Sequence, residues 1–468
     1  MVARNNGWRP APGLGLWTMN RRQALKSMAA ATGCAMAAAV GCGGGGQTTT
    51  PPTTPTPPSL PVGVFNPTAA DLSFLDVLEQ QGCLYFWEQA SPVTGQVLDH
   101  AANNLSGQMD PTTTEASIAA TGFGLTALCI ADQRGYLTGV THAQIVARVQ
   151  TTLSFHLNNM QNENGFFYHF NDVNTGAPLS GSEVSSIDTA WLICGALAAR
   201  AYFNDATITS LATHLYERVN WPWMLNGGKT FSMGWHPESG FLDSRWNTFC
   251  ELMMIYLLAI GSPTHPVPAE RWDSFKRPVI HYKGYDYISG NDPIFTHQYS
   301  QAWYDFRGKR DAYADYFENS VTATRAHKAF CLSYPKWYSE DYWGVTASDY
   351  ERGYTAWGGP PAQGPLDGTV VPSAAAGSLA FLPADCLSVL RDLRAKWGKR
   401  AWGRYGFVDA FHPAANWYDS DVLGIDQGIS VLMAENLRSG MVWSAFMRNQ
   451  ASVDAIERAG FHGKGLDK

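Results

Sequence analysis

Two stretches of this chain are apolar on nearly every side of a helix: TAWLICGALAARAYF (189–203) and ELMMIYLLAIG (251–261). A helix without a polar face must be covered all round. Other segments, 142–160 and 383–396, place apolar residues at three- and four-residue spacing and leave a polar side. An inner ring of apolar helices wrapped by an outer ring of amphipathic ones satisfies both kinds. That architecture is an all-α toroid of helical hairpins, most often six, and its inner helix ends open into a cleft. The spacing predicts helices over 71–90 with Asp71 as N-cap, 114–133, 141–160, 187–203, 247–260 and 301–307. Further helices are predicted over 311–330, 374–381, 383–396 and 428–439, with another beginning at 442.

Composition agrees with a large globular body. Only 16% of the 468 residues are charged, against roughly 25% in ordinary soluble proteins. Aromatic residues make up 13%, which argues against disorder. Acids exceed bases, 40 to 33, which argues against a nucleic-acid partner. Trp and Tyr fill cores, and they also line sites for amphipathic ligands such as sugars.

Residues 1–42 read as an address rather than as fold. Arg21 and Arg22 form a twin-arginine pair, and an Ala-rich run from Met28 to Val40 follows. That run is shorter than the roughly 20 apolar residues a spanning helix needs. Ala39-Val40-Gly41-Cys42 resembles a lipobox, so either Cys42 is the lipidated first residue or the chain is cut ordinarily near Ala37–Ala39 and fully secreted. Membrane attachment is expected only through that lipid. Residues 43–64 form a Gly/Thr/Pro-rich tether, extended and semi-stiff. The body, 65–468, is one domain. The expected location is outside the cytoplasm, periplasmic or held by a lipoprotein anchor, and the expected state is a monomer. Cys83, Cys129, Cys194, Cys250, Cys331 and Cys386 stand singly, without zinc-like pairing, and read as small buried hydrophobes; one disulfide stays open. No metal and no cofactor is expected.

Three acidic stretches enter apolar helices. In WNTFCELMM, Trp246 and Asn247 precede Glu251. A Glu there either complements the helix dipole or is forced into an apolar lining, which suits a general acid. In GSEVSSIDTAWL, Glu183 and Asp188 precede Trp191, and Ser185 or Ser186 caps the helix, leaving Asp188 a simple N-terminal acid or a functional one. In NWYDSDVLGIDQG, Asp419 and Asp421 lead to Asp426, and Glu435 lies further along. A cleft ringed with carboxylates is the equipment of glycoside hydrolysis. The chain carries no HExxH, GxSxG or Walker A motif.

These segments, with FLDVLEQQGCLYFWEQASPVTG (74–95), ASIAATGFGLTAL (116–128), GFFYHF (165–170), FTHQYSQAWYDFRG (295–308), WGVTASD (343–349), DGTVVPSAAAGSL (367–379), WGRYGFVDAFHP (402–413) and GIDQG (424–428), resemble the bacterial glucoamylase-like glycoside hydrolases. That family includes endo-β-1,2-glucanases and is related to the central domain of cyclic β-1,2-glucan synthases. The resemblance implies an (α/α)6 toroid that hydrolyses β-linked glucan, with β-1,2-glucan the best-known substrate. It implies Glu251 as general acid and Asp426 as base in an inverting reaction. Glu183 and Asp188 would bind sugar hydroxyls. Trp191, Trp246, Trp303, Tyr304, Trp343 and Trp417 would be stacking surfaces. Arg307, in YDFRG, would either fix hydroxyls or pair with a carboxylate. A binding protein without catalysis and a transglycosylase are the rival readings.

Overall fold

The computed structural model describes residues 65–290, 293–357, 359–360, 366–463 and 466. The leader and tether, and part of the loop 355–366, lie outside them. Among the described residues no helix is long and apolar enough to cross a membrane.

Besides one turn of helix at Trp221–Leu225, the helices run α1 (Ala69–Glu88), α2 (Ile118–Arg134), α3 (His142–Asn158), α4 (Ser186–Phe203), α5 (Ala206–Arg218), α6 (Met253–Ile260), α7 (Tyr316–Leu332), α8 (Pro372–Ala376), α9 (Pro383–Ala401), α10 (Gly424–Arg438), α11 (Met441–Phe446) and α12 (Gln450–Arg458). The inner ring is α2, α4, α6, two 3-10 turns over 294–302, α8 and α10. It closes because α10 packs on both α8 and α2. Ser300 Oγ accepts from Met254 N (3.3 Å) and Gln298 Nε2 donates to Ala374 O (3.0 Å), joining the 3-10 segment to both neighbours. α1, α3, α5, α7 and α9 stand outside. The fold is the (α/α)6 toroid.

Burial follows the pattern in the sequence. Residues 118–131 of α2, 186–199 of α4 and all of α6 are buried without interruption. The outer α3 buries only Ile145, Val149, Thr152, Leu153 and His156. α2 and α4 cross closely at Gly122 and Gly195: a Cβ on Gly195 would lie 2.0 Å from Gly122 O. The six cysteines of the body are buried free thiols.

Several predicted helix starts move, those at 114, 311, 374 and 428 to Ile118, Tyr316, Pro372 and Gly424, and three other differences have a visible cause. Thr68 caps α1, and Asp71 is the third helical residue, returning the bond to Thr68 in a capping box. The helix predicted from Asn247 begins at Met253, because Lys276 N donates to Asn247 O and Phe249 N to Lys276 O, both at 2.8 Å. The helix predicted over 301–307 is a 3-10 turn, Tyr299–Ala302. Side chains take its carbonyls: Trp443 Nε1 donates to Gln301 O (2.6 Å) and Asn436 Nδ2 to Ala302 O (2.8 Å). Helices α5 and α12 were not anticipated, and neither were the short strands.

Candidate active site

Short strands lead into the inner helices at one end of the toroid. β1 (His100–Ala102) pairs with β8 (Asp421–Leu423), and β2 (Glu115–Ser117) pairs with β3 (Phe170–Asp172). β4 (Val184–Ser185) pairs with β5 (Gly234–His236), and bridges Leu98–Ala116 and Tyr168–Val184 link the pairs. The strands β2, β4 and β8 run directly into α2, α4 and α10, so the entrances of these helices share one rim. Ser117 and Ser185 cap α2 and α4. Trp246 joins the rim by donating Nε1–H to Ser186 Oγ at 2.8 Å.

One dipeptide, Tyr299-Ser300, bonds both Asp426 and Glu251, the first at its carboxylate and the second at its main chain. Tyr299 Oη donates to Asp426 Oδ1 at 3.0 Å, while Ser300 Oγ donates to the Glu251 carbonyl at 2.7 Å. Both carboxyl residues are nearly covered, 5% exposed for Glu251 and 4% for Asp426. The Tyr299 ring is held edge-on by Phe123 (5.5 Å) and Trp191 (5.2 Å) and tilted against Phe295 (5.1 Å). Asp426 lies in the first turn of α10, where the helix dipole favours an anion.

Asp409 shares a small cavity with Asp426, Ser373, Gln427 and Ser430. Burial pushes the Asp409 carboxyl well above the usual range, and Asp426, Asp349 and Asp419 push it further. Burial and Asp349 raise Asp419 to about 7. The DxD pair therefore splits. Asp419 joins Asp349 and Asp409, with one oxygen from each within 4.8 Å of the others, while Asp421 stays in β8. By spacing these three suit a cation, as do Asp99, His100 and Glu115. His100 is a poor ligand near neutrality, because the hydrogen bond to Asp99 raises it to about 9 and keeps it protonated.

Glu183 and Asp188 are bridged by His169, a residue that no spacing in the sequence singled out. Its Nδ1 is 3.5 Å from Glu183 Oε1 and its Nε2 3.7 Å from Asp188 Oδ2. Ser185 Oγ donates to Asp188, so Asp188 is both a first-turn acid and part of this cluster. Trp191 and Trp246 lie at the rim, both mostly covered.

Other expected contacts lie elsewhere. Trp303 is fully buried and donates to Thr126 Oγ1 at 3.0 Å, Tyr304 packs edge-on against Phe446 at 4.8 Å, and Trp343 is sealed in a second core cluster. These three are core, with no surface to offer a sugar in this structure. Trp417 is half-buried, paired across a hairpin with His412. Arg307 forks onto Asp305 with two bonds of 2.8 Å and stacks over Trp443 at 4.1 Å, beside Gly440 beyond the far end of α10. Of its two expected uses, carboxylate pairing is the one seen. Asp349, Asp409 and Tyr299 went unassigned, although WGVTASD, WGRYGFVDAFHP and FTHQYSQAWYDFRG contain them.

A family model named Glycoamylase, described as "Putative glucoamylase", matches residues 243–450. The chain is 28% identical over 435 residues to an exo β-1,2-glucooligosaccharide sophorohydrolase acting at the non-reducing end, from Parabacteroides distasonis; the match takes in 83% of this chain and 58% of that relative's length. The chain thus spans little more than half of that curated relative. An endo-β-1,2-glucanase from Chitinophaga pinensis, solved with sophorotriose and glucose, superposes with a TM-score of 0.78 at 28% identity, covering 85% of this chain and 99% of that one. A β-1,2-glucanase from Parabacteroides distasonis superposes at 0.76 with 25% identity, covering 84% and 60%. A fungal endo-β-1,2-glucanase from Talaromyces funiculosus, 11% identical, shares the fold at 0.63. Residues 243–450 thus match the glucoamylase-like family model, and the toroid they help to close superposes on solved β-1,2-glucanases.

Proposed function

We propose that the protein is an inverting glycoside hydrolase of β-linked glucan, with β-1,2-glucan as substrate. One observation carries this reading: Glu251 and Asp426, two covered carboxyl residues at inner-helix entrances, are both bonded by the dipeptide Tyr299-Ser300, Asp426 at its carboxylate and Glu251 at its main-chain carbonyl. The sophorotriose and glucose bound by the Chitinophaga pinensis enzyme support the linkage. In this reading Glu251 gives its proton to the glycosidic oxygen as the bond to the anomeric carbon breaks. Asp426 takes a proton from the water that attacks the opposite face, directly or through an intervening hydroxyl. Glu183, Asp188 and His169 form a polar bank at the entrance of α4 that suits sugar hydroxyls. An exported enzyme fits the residues 1–42.

The test is sugar release from linear β-1,2-glucan by wild type, Glu251→Gln and Asp426→Asn, with the anomer followed by NMR. The expected outcome is α-anomer first from wild type and a loss of at least a hundredfold in each variant. Full activity in Glu251→Gln would remove the acid assignment. Products longer than the substrate would mark a transglycosylase, and binding without release a non-catalytic protein.

A further inference from the structure

We propose that Asp409 is a positioning residue for Asp426: a protonated carboxyl that donates a hydrogen bond to Asp426 and keeps it the anion that accepts a proton from water. The inference rests on the reading of Asp426 as the base. Asp409 lies in the turn after the Tyr405–Phe407 segment, with its backbone N–H donating to Asp421 O at 2.9 Å. Its Oδ2 accepts the Asp349 backbone N–H at 2.8 Å. Its Oδ1 is buried and receives no N–H or O–H donor from the described residues. The Asp409 carboxyl is within hydrogen-bonding reach of Asp426, and both line one cavity.

The groups acting on Asp409 are Asp426 of α10, Asp349 of the hairpin 347–356, and Asp419 ahead of β8; all are acids. Two carboxyls in contact do not both ionise readily; one proton between them turns repulsion into a charge-assisted bond. The surroundings decide which group keeps it. Asp426 accepts the Tyr299 hydroxyl on Oδ1 and lies in the first turn of α10, at the positive end of the helix dipole. Asp409 has burial and further acids, and these favour its neutral form. The water proton passes to Asp426, and Asp409 keeps its own throughout.

The experiment follows kcat, KM and the acidic limb of kcat/KM on linear β-1,2-glucan for wild type, Asp409→Asn, Asp409→Ala and Asp426→Asn. A neutral donor predicts that Asn, which still donates, keeps kcat within about threefold and leaves the limb in place. Ala removes the donor, so kcat falls at least tenfold and the limb moves up by about half a unit or more, with KM within twofold. A limb that moves down in either variant would mean that Asp409 is an anion in the wild type, and would overturn the proposal. An unmoved limb in Ala would do the same by reducing Asp409 to a structural role. So would activity that is lost in EDTA and restored by calcium, because an ion among Asp349, Asp409 and Asp419 needs them ionised. If Ala does not fold, the Asn limb decides alone: in place it supports the donor, moved down it refutes it. An active Asp426→Asn removes the base assignment and the pairing with it. An inactive Asp426→Asn beside an adverse Asp409 result removes only the pairing.

Discussion

Replacing Tyr299 with Phe tests the geometry at the base most directly. Tyr299 is completely buried, and its ring is fixed by Phe123, Trp191 and Phe295, so Phe keeps the packing and loses only the Oη–H donated to Asp426 Oδ1. A hydrogen bond to a charged group contributes about 1.5–3 kcal/mol. Each 1.36 kcal/mol corresponds to tenfold, so if the bond is made in full in the transition state its loss lowers kcat/KM by about 10- to 150-fold. The assay is kcat/KM for linear β-1,2-glucan, with thermal unfolding measured alongside. A kcat/KM within twofold of wild type, in a variant that melts normally, would refute the claim that the Tyr299 hydroxyl serves Asp426.

Gly195→Ala should destabilise the protein by at least about 1–3 kcal/mol, seen as a lower melting temperature, because its Cβ would meet backbone at Gly122 rather than a side chain that can swing away. Glu79 is raised to about 8 by burial and Glu435 against the pull of Arg438. A carboxyl raised in the folded state makes stability fall as pH rises from its unfolded value, about 4.5, to about 8; Glu79→Gln lacks this term, so its melting temperature should gain on wild type across that window. Arg307→Ala should leave kcat on β-1,2-glucan within twofold while lowering thermal stability, because the side chain serves Asp305 and Trp443; a large loss of kcat at full stability would return it to the cleft.

The inner ring was legible because burial on all sides leaves an unmistakable pattern: 189–203 has no polar face, and α4 has none to show. The entrance to α6 was not, because what stops a helix over 247–252 is Lys276, more than twenty residues away and carrying no local signal. Aromatics divided for the same reason. Trp303, Tyr304 and Trp246 all stand near acids in the chain, yet Trp303 ends against Thr126 and Tyr304 against Phe446, while Trp246 reaches Ser186 on the rim. Proximity in sequence to a functional acid does not tell which partner a buried aromatic side chain meets. Asp349, Asp409 and Asp419 are single acids in separate segments, and only the pairing of short strands brings their carboxyls together.

The two ends of α10 show how the fold separates structural charge from chemical charge. Asp426 and Glu435 lie nine residues apart on this helix, roughly 14 Å along its axis. Glu435 is fully buried, but Arg134 forks onto it at 2.7 and 2.9 Å. A buried carboxylate so paired is compensated, and removing one partner costs stability rather than chemistry. At the other end the groups acting on Asp409 are burial and three more acids. Such a cluster gains nothing for folding that an apolar residue would not supply better, since every ionised member raises the cost of the next. What it offers is a carboxylate whose protonation depends on its neighbours, in reach of a cavity. The same composition, a body short of charge, thus contains two kinds of buried acid, and their partners rather than their burial distinguish the one that holds the ring from the one suited to move a proton.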